Sequence, residues 1–369
     1  MIYYIIWIVL FAFSFWEINN KHNEKNIILC GKIKKISLKS FIYFDFVFFL
    51  IIFCGTRLKI GIDYNTYQDM FSKVKMGMTN FFVEPTFILI ANVFKTFNWV
   101  LLVYAILSIG LKSVYIKRSS RYIWVSLFLY YSIYFLRLDM GLIRQSVAIG
   151  LALLGIFYLG QPRNNKKISI CLVMAACLFH YSAIVVLVTF FLYKRKIKFS
   201  IMVYSAIAAF VMSFTNFWYY IIKIIFSIFS FLPISKYEAY MYNTSYIYNH
   251  FSFGDLRHLI VLFVLIYLVS KFANTKENML LLKLYYVGTM IFYLFKSFNT
   301  LSDRGSVYFT IVEIILLASL LDAFKDVISK NIYMFMVGGY SLYYLCSYVN
   351  FTTTSWMNEV YCPYSSWFF

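Results

Sequence analysis

Charge is scarce in this chain. Of 369 residues only 13% are Asp, Glu, Lys or Arg and 62% are hydrophobic, whereas soluble globular domains are about one quarter charged. With a mean hydropathy of +0.74, the composition excludes a soluble domain and points to an all-α polytopic integral membrane protein. Acidic residues are scarcer still, 15 against 34 Lys and Arg, for a formal net charge of +19. No polar segment exists on which those cations could form one basic face, so nucleic acid is excluded as a partner. The six cysteines stand singly at 30, 54, 171, 177, 346 and 362, with no CxxC pair and no metal-ligand spacing, and read as small buried hydrophobes. The four histidines, at 22, 180, 250 and 258, do not cluster and there is no DxD pair, so neither a metal nor another cofactor is expected. The opening MIYYIIWIVLFAFSFW lacks a basic n-region and a small-residue cleavage site, and reads as a first spanning helix.

What fills the chain is apolar runs of membrane-spanning length, about 20 residues each. They lie near 2–17, 40–55, 122–137, 142–160, 259–273, 279–297, 305–322 and 331–349. The stretches 82–116, 168–193 and 199–234 are each too long for one simple span or too short for two, which predicts broken or re-entrant helices. The expectation is a single polytopic domain over 1–369 with 10 to 12 spanning helices. Basic runs at Lys32/Lys34/Lys35/Lys39, 117–121, 161–167 and 194–198 mark cytoplasmic loops. With the N-terminus outside, the polar loops at 56–81, 138–141, 235–258 and 298–304 then share the outer face.

That face collects the polar motifs. GTRLKIGIDYNTYQDMF carries Arg57, Asp63, Tyr64 and Tyr67, followed by Glu84–Pro85. FLRLDMGLIRQSVAIGLALL carries Arg137, Asp139, Arg144 and Gln145, and one charge at mid-bilayer costs roughly 2.5 to 3.5 kcal/mol on insertion scales. Such residues face protein or water and act there. Arg137 and Arg144 are seven apart and would share a face of one continuous helix. LFHYSA sets His180 in an apolar run, and LSDRGSVYF places Asp303, Arg304 and Tyr308 at a helix start.

The order R-x5-D-Y-x2-Y, E-P, IRQ-x2-A, A-x-LFH-x-SA and R-x3-Y is carried by Arg57, Asp63, Tyr64, Tyr67, Glu84, Pro85, Ile143, Arg144, Gln145, Ala148, Ala176, Phe179, His180, Ser182, Ala183, Arg304 and Tyr308. It resembles the EpsG family, bacterial membrane proteins similar to Wzy-type polymerases of surface polysaccharides. CPY at 362–364 resembles the family's terminal proline-tyrosine.

The resemblance implies a glycosyltransferase of the bacterial inner membrane, with its site facing outward. It would move a growing glycan from undecaprenyl diphosphate to the sugar hydroxyl of a new lipid-linked repeat. Its partners would be undecaprenyl-diphosphate-linked oligosaccharides and membrane lipids, with a chain-length regulator and a flippase as companion proteins. Arginine binds paired phosphate oxygens and stays charged, so Arg144 and Arg304, with Arg57, are the expected diphosphate contacts, Arg144 catalytic among them. Gln145, Tyr64 and Tyr67 complete the expected substrate-binding set. The base that takes the hydroxyl proton is Asp63 or His180. The rivals are a lipid-linked oligosaccharide flippase, which calls for internal repeats and a charged central pathway that the sequence does not show, and a membrane acyltransferase using His180.

Overall fold

The computed structural model describes residues 1–20, 27–29, 32–34, 38–78, 83–161, 165–215, 217–228, 253–272, 274–349 and 360–368. The chain is all-α, as expected of a backbone that has no bilayer water to bond. Among the described residues β-structure is confined to an antiparallel pair, Ile27–Leu29 with Lys32–Lys34, and a bridge between Arg57 and Ser366. Most of the polar loop expected at 235–258 lies outside the described residues. Contacts gather in two compact units, Met1–Tyr158 with Asn165–Ile184 and Phe324–Phe369, and Leu159–Asn164 with Val185–Ala323.

In the first unit α1 (Ile2–Asn19) packs on α6 (Ile123–Tyr130), and α2 (Leu38–Gly55) lies along α5 (Phe97–Ser119). α6 runs directly into a π-helix, Tyr131–Gly141. From Tyr122 to Ile143 every residue but Arg137 is buried, so this helix forms the core of the unit. Its N-terminus is held by Glu17 of α1. That carboxylate accepts the backbone N–H groups of Ile123 (2.9 Å), Trp124 (2.8 Å) and Val125 (3.3 Å) and pairs with Lys39. Three amides that a helix start leaves unbonded are thereby satisfied, with an anion at the positive end of the dipole.

Two expectations are corrected here. Residues 138–141 are not an outer loop but the last turn of the π-helix, where Leu138 and Met140 are fully buried and Asp139 is 1% exposed. The cause is the chain at 56–61, which covers this helix end and bonds to it. Nor do Arg137 and Arg144 share a continuous helix, because Leu142 (φ −110°, ψ 59°) breaks the chain before α7 (Ile143–Gly160) begins.

Two of the ambiguous stretches resolve as broken helices. Residues 82–116 hold the nine-residue α4 (Pro85–Val93) and most of α5. Residues 168–193 hold α8 (Lys166–Phe179), a 3-10 turn (Tyr181–Leu187) and α9 (Val188–Leu192), broken at His180, which is extended at φ −157°. In the third, α10 (Phe199–Met212) and α11 (Phe217–Ile228) are described.

The second unit is built on α13 (Lys276–Leu294), which packs against α14 (Asn299–Thr310), α12 (Phe253–Phe272) and α10. Gly288 permits the closest approach, since a Cβ there would stand 2.7 Å from Thr310 Cγ2 and 3.1 Å from the Ser306 carbonyl. Lys296 pairs with Asp255 at 2.8 Å and Arg257 pairs with Glu313 of α15 (Glu313–Ser319), so the charges at the start of α12 are matched inside the unit.

Among the described residues five helical stretches are long and apolar enough to cross a membrane: Ile2–Asn19, Leu38–Gly55, Phe97–Ser119, Ile143–Gly160 and Leu301–Ala323. The run 123–141, α12, α13 and α16 (Val327–Val349) are of comparable length.

Candidate functional site

At one end of the first unit three segments meet: the chain after α2, the end of the π-helix, and residues 360–368. Arg57 organises the meeting. It is 1% exposed and its guanidinium donates to backbone carbonyls, Nε to Ile60 (3.0 Å), Nη1 to Cys54 (2.6 Å) and Nη2 to Met140 (3.1 Å). Gly61 (φ +119°) passes so close that a Cβ would lie 2.0 Å from the Met140 carbonyl, a fit open to glycine.

The C-terminal segment clips this loop in place. Leu58 N–H donates to Ser365 O (2.9 Å), Gly61 N–H to Val360 O (3.2 Å) and Trp367 N–H to Thr56 O (2.9 Å). Tyr364 donates to Phe53 O at 2.7 Å and stacks on the Phe53 ring at 4.2 Å, while Tyr361 donates to Leu136 O at 3.1 Å. Burial pushes the Tyr361 phenol far above its ordinary pKa; Arg137 and Arg57 act in the opposite direction, and Asp63 reinforces the rise. Asp63 therefore lies within electrostatic reach of this cluster. It is the N-cap residue of α3 (Tyr64–Lys75) but does not cap with its side chain.

One turn along α3, Tyr67 leads to a second cluster. Tyr64, Tyr67, Phe71, Phe87, Phe97, Tyr104 and Ile143 share a buried core on which Phe179 packs. Tyr64 meets Phe97 edge-on at 5.4 Å, and Tyr67 lies 6.2 Å from Phe87. Arg144, in the first turn of α7, rests against both of the latter rings, its guanidinium carbon 5.3 Å from the Tyr67 centroid and 5.9 Å from that of Phe87. Such cation–π contacts strengthen as the cation is desolvated. Its Nη1 pairs with one carboxylate oxygen of Glu84, while its buried Nε has no hydrogen-bond acceptor. Glu84 is the N-cap residue of α4, yet its side chain does not cap that helix.

The end of α8 belongs to the same neighbourhood, because Thr86 of α4 donates to Leu178 O at 2.8 Å. His180 follows two residues later. Its Nδ1 lies 3.3 Å from the Ser182 amide nitrogen and 2.8 Å from Ser182 Oγ. An amide N–H can only donate, so Nδ1 is the acceptor and the neutral ring carries its proton on Nε2.

Beneath these clusters, Lys112 of α5 and Asp139 of the π-helix pair at 2.6 Å with side chains 1% and 0% exposed. Ser146 Oγ lies 2.8 Å from the same Asp139 oxygen and 2.7 Å from Lys112 Nζ, and the Tyr130 hydroxyl donates to the other oxygen at 2.5 Å. Asp139 thus faces protein.

The structure brings Arg144, Tyr67 and the His180 segment together, with Gln145 buried beside them on α7 and Asp63 at the head of α3. It turns Arg57 inward onto carbonyls. Arg304 stands on α14 of the second unit. Sequence reasoning named Glu84 only as part of a motif and passed over Lys112. The signal for Lys112 was a lone lysine 15 residues into an apolar run, and its partner 27 residues on could not be read from spacing.

A model of the EpsG family matches residues 40–366. No curated protein and no solved structure matches the chain.

Proposed function

The chain belongs to the EpsG family of Wzy-like polysaccharide polymerase-type membrane proteins, and on that premise we propose that it joins oligosaccharide repeat units carried on undecaprenyl diphosphate, at the outer face of the bacterial cytoplasmic membrane. Family and helix content make it a multi-pass membrane protein with a polymerase-like role in surface polysaccharide synthesis.

The observation that carries the finer reading is Arg144. It opens an apolar helix, lies against two aromatic rings, and holds one carboxylate while its Nε stays unbonded. A guanidinium held this way suits a diphosphate, whose several oxygens match a planar fork. The charge distribution supports the proposed orientation. Lys39, Lys117, Arg118, Arg121, Lys166 and Lys167 cluster at the ends of α2, α5, α6 and α8 opposite to those that carry Arg57, Glu84 and Arg144, and cytoplasmic loops hold the excess of Lys and Arg.

In the reaction, the acceptor hydroxyl oxygen bonds to the anomeric carbon of the donor. The bond from that carbon to the diphosphate oxygen breaks, and its electron pair leaves with the lipid diphosphate. Arg144 stabilises the charge that develops there. Asp63 takes the hydroxyl proton, a role that suits it better than His180, whose Nδ1 is already engaged by Ser182. His180 Nε2–H serves as a donor to substrate oxygen. Gln145 lies beside Arg144 as a further polar contact, and Tyr67 seats the guanidinium. Arg57 holds the loop that ends at Asp63.

Deletion of the protein tests this reading. Surface glycan should then consist of single repeat units on the lipid carrier or its acceptor, because export and ligation continue. Loss of lipid-linked repeats from the outer face would instead identify the lipid-linked oligosaccharide flippase.

A further inference from the structure

Arg144 is an incompletely used fork. One Nη1 donates to Glu84 Oε2, the Nε donor is buried without an acceptor, and the side chain as a whole is 13% exposed. Buried donors in native proteins are nearly always bonded, so this Nε is a donor available to an incoming acceptor. Glu84, whose side chain is longer than those of the favoured N-cap residues, leaves α4 uncapped and reaches 60 residues along the chain to Arg144. Pro85 at the first helical position and the Thr86–Leu178 bond fix the start of α4, so the carboxylate projects from a rigid base.

A cation at the end of a spanning helix has an obvious wrong ligand. The phospholipid headgroups of the membrane each offer a singly charged phosphate. We propose that Glu84 holds Arg144 against a phospholipid phosphate while a lipid diphosphate binds through the Nε that Glu84 leaves unused, and that it thereby sets the selectivity of the site. The proposal rests on the reading of Arg144 as the diphosphate contact. A carboxylate and a phosphodiester carry the same single charge, so exchanging one for the other gains little against a partner already tethered in place. A diphosphate carries more charge and more oxygens, and it can engage Nε and an Nη together in the paired geometry that Glu84 leaves unused. Specificity of this kind is a difference of affinities obtained by raising the cost of the wrong ligand.

The test measures binding to the full-length protein in nanodiscs of zwitterionic lipid, with undecaprenyl diphosphate and phosphatidylglycerol as the two probes. The wild type should bind undecaprenyl diphosphate at least about tenfold tighter than phosphatidylglycerol. Glu84→Gln should bind phosphatidylglycerol about tenfold more tightly, the factor that corresponds to about 1.4 kcal/mol of lost internal competition, and undecaprenyl diphosphate with little change, so that the ratio collapses. Glu84→Asp, which keeps the charge, should restore much of it. If Glu84→Gln melts as the wild type does and keeps the wild-type ratio, the proposal is overturned while the reading of Arg144 stands. If Glu84→Gln does not fold, the wild type still decides, since less than about threefold discrimination between the probes overturns it, and tenfold or more supports it. If Arg144→Lys binds undecaprenyl diphosphate as the wild type does, the reading of Arg144 fails, and the proposal fails with it.

Discussion

Lys112 and Asp139 form an ion pair closed on every side, 2.6 Å apart in the core of the first unit, with Ser146 and Tyr130 completing the bonds of the carboxylate. It ties α5, the π-helix and α7 together just below the first turn that carries Arg144. Breaking a buried pair by removing one partner typically costs about 3 to 5 kcal/mol, because the other charge is left unmatched, whereas replacing both by apolar groups is often neutral. Lys112→Met alone should therefore lower both the amount of protein in the membrane and its aggregation temperature. Lys112→Met with Asp139→Leu should recover most of the loss. Equal amounts of the single variant and wild type, with equal melting, would show the pair to be dispensable.

Gly61 and Gly77 separate backbone strain from steric collision. Both have positive φ, but a Cβ at 61 meets the Met140 carbonyl at 2.0 Å and one at 77 meets nothing within 4 Å. Gly77→Ala should cost no more than the left-handed conformation itself, about 1 to 2 kcal/mol, and polymerise normally. Gly61→Ala should push the loop off the π-helix end and shift Arg57 and Asp63 with it. Thermal stability and polymer length in the two variants check this, and a fully active Gly61→Ala would contradict it.

Orientation is open to direct labelling. In a background without the six native cysteines, Lys73→Cys on the exposed face of α3 should react with a membrane-impermeant maleimide added to intact cells, and Lys166→Cys at the start of α8 should not. Reaction at 166 alone would invert the topology.

Class and most helices were legible in the sequence because hydrocarbon thickness and basic loops impose a coarse, local pattern. What the sequence hid was long-range pairing. Asp139 falls in the stretch 138–141 expected as an outer loop, and it is the contact with Lys112, 27 residues earlier, that shows it as core. Arg57 resembled a ligand-binding cation, and nothing local announces that three carbonyls, one of them 83 residues away, absorb its donors. The CPY segment was legible as a motif but not as a clip, since its partners lie some three hundred residues before it. Arg144 was legible because an arginine inside an apolar helix has few innocuous explanations, although its companion Glu84 was not.

Arg144 is the side chain on which polymerisation is expected to depend most. Arg144→Lys keeps the positive charge and the tie to Glu84 but gives up the fork, and Arg137→Lys makes the same exchange on the π-helix side of the Leu142 break. The decisive measurement is surface-polymer length in cells carrying each variant, with membrane protein levels matched to wild type. Arg144→Lys should leave almost exclusively single repeats, through lower turnover more than weaker binding, and Arg137→Lys should keep substantial polymer. Normal polymer from Arg144→Lys together with its loss in Arg137→Lys would contradict the assignment.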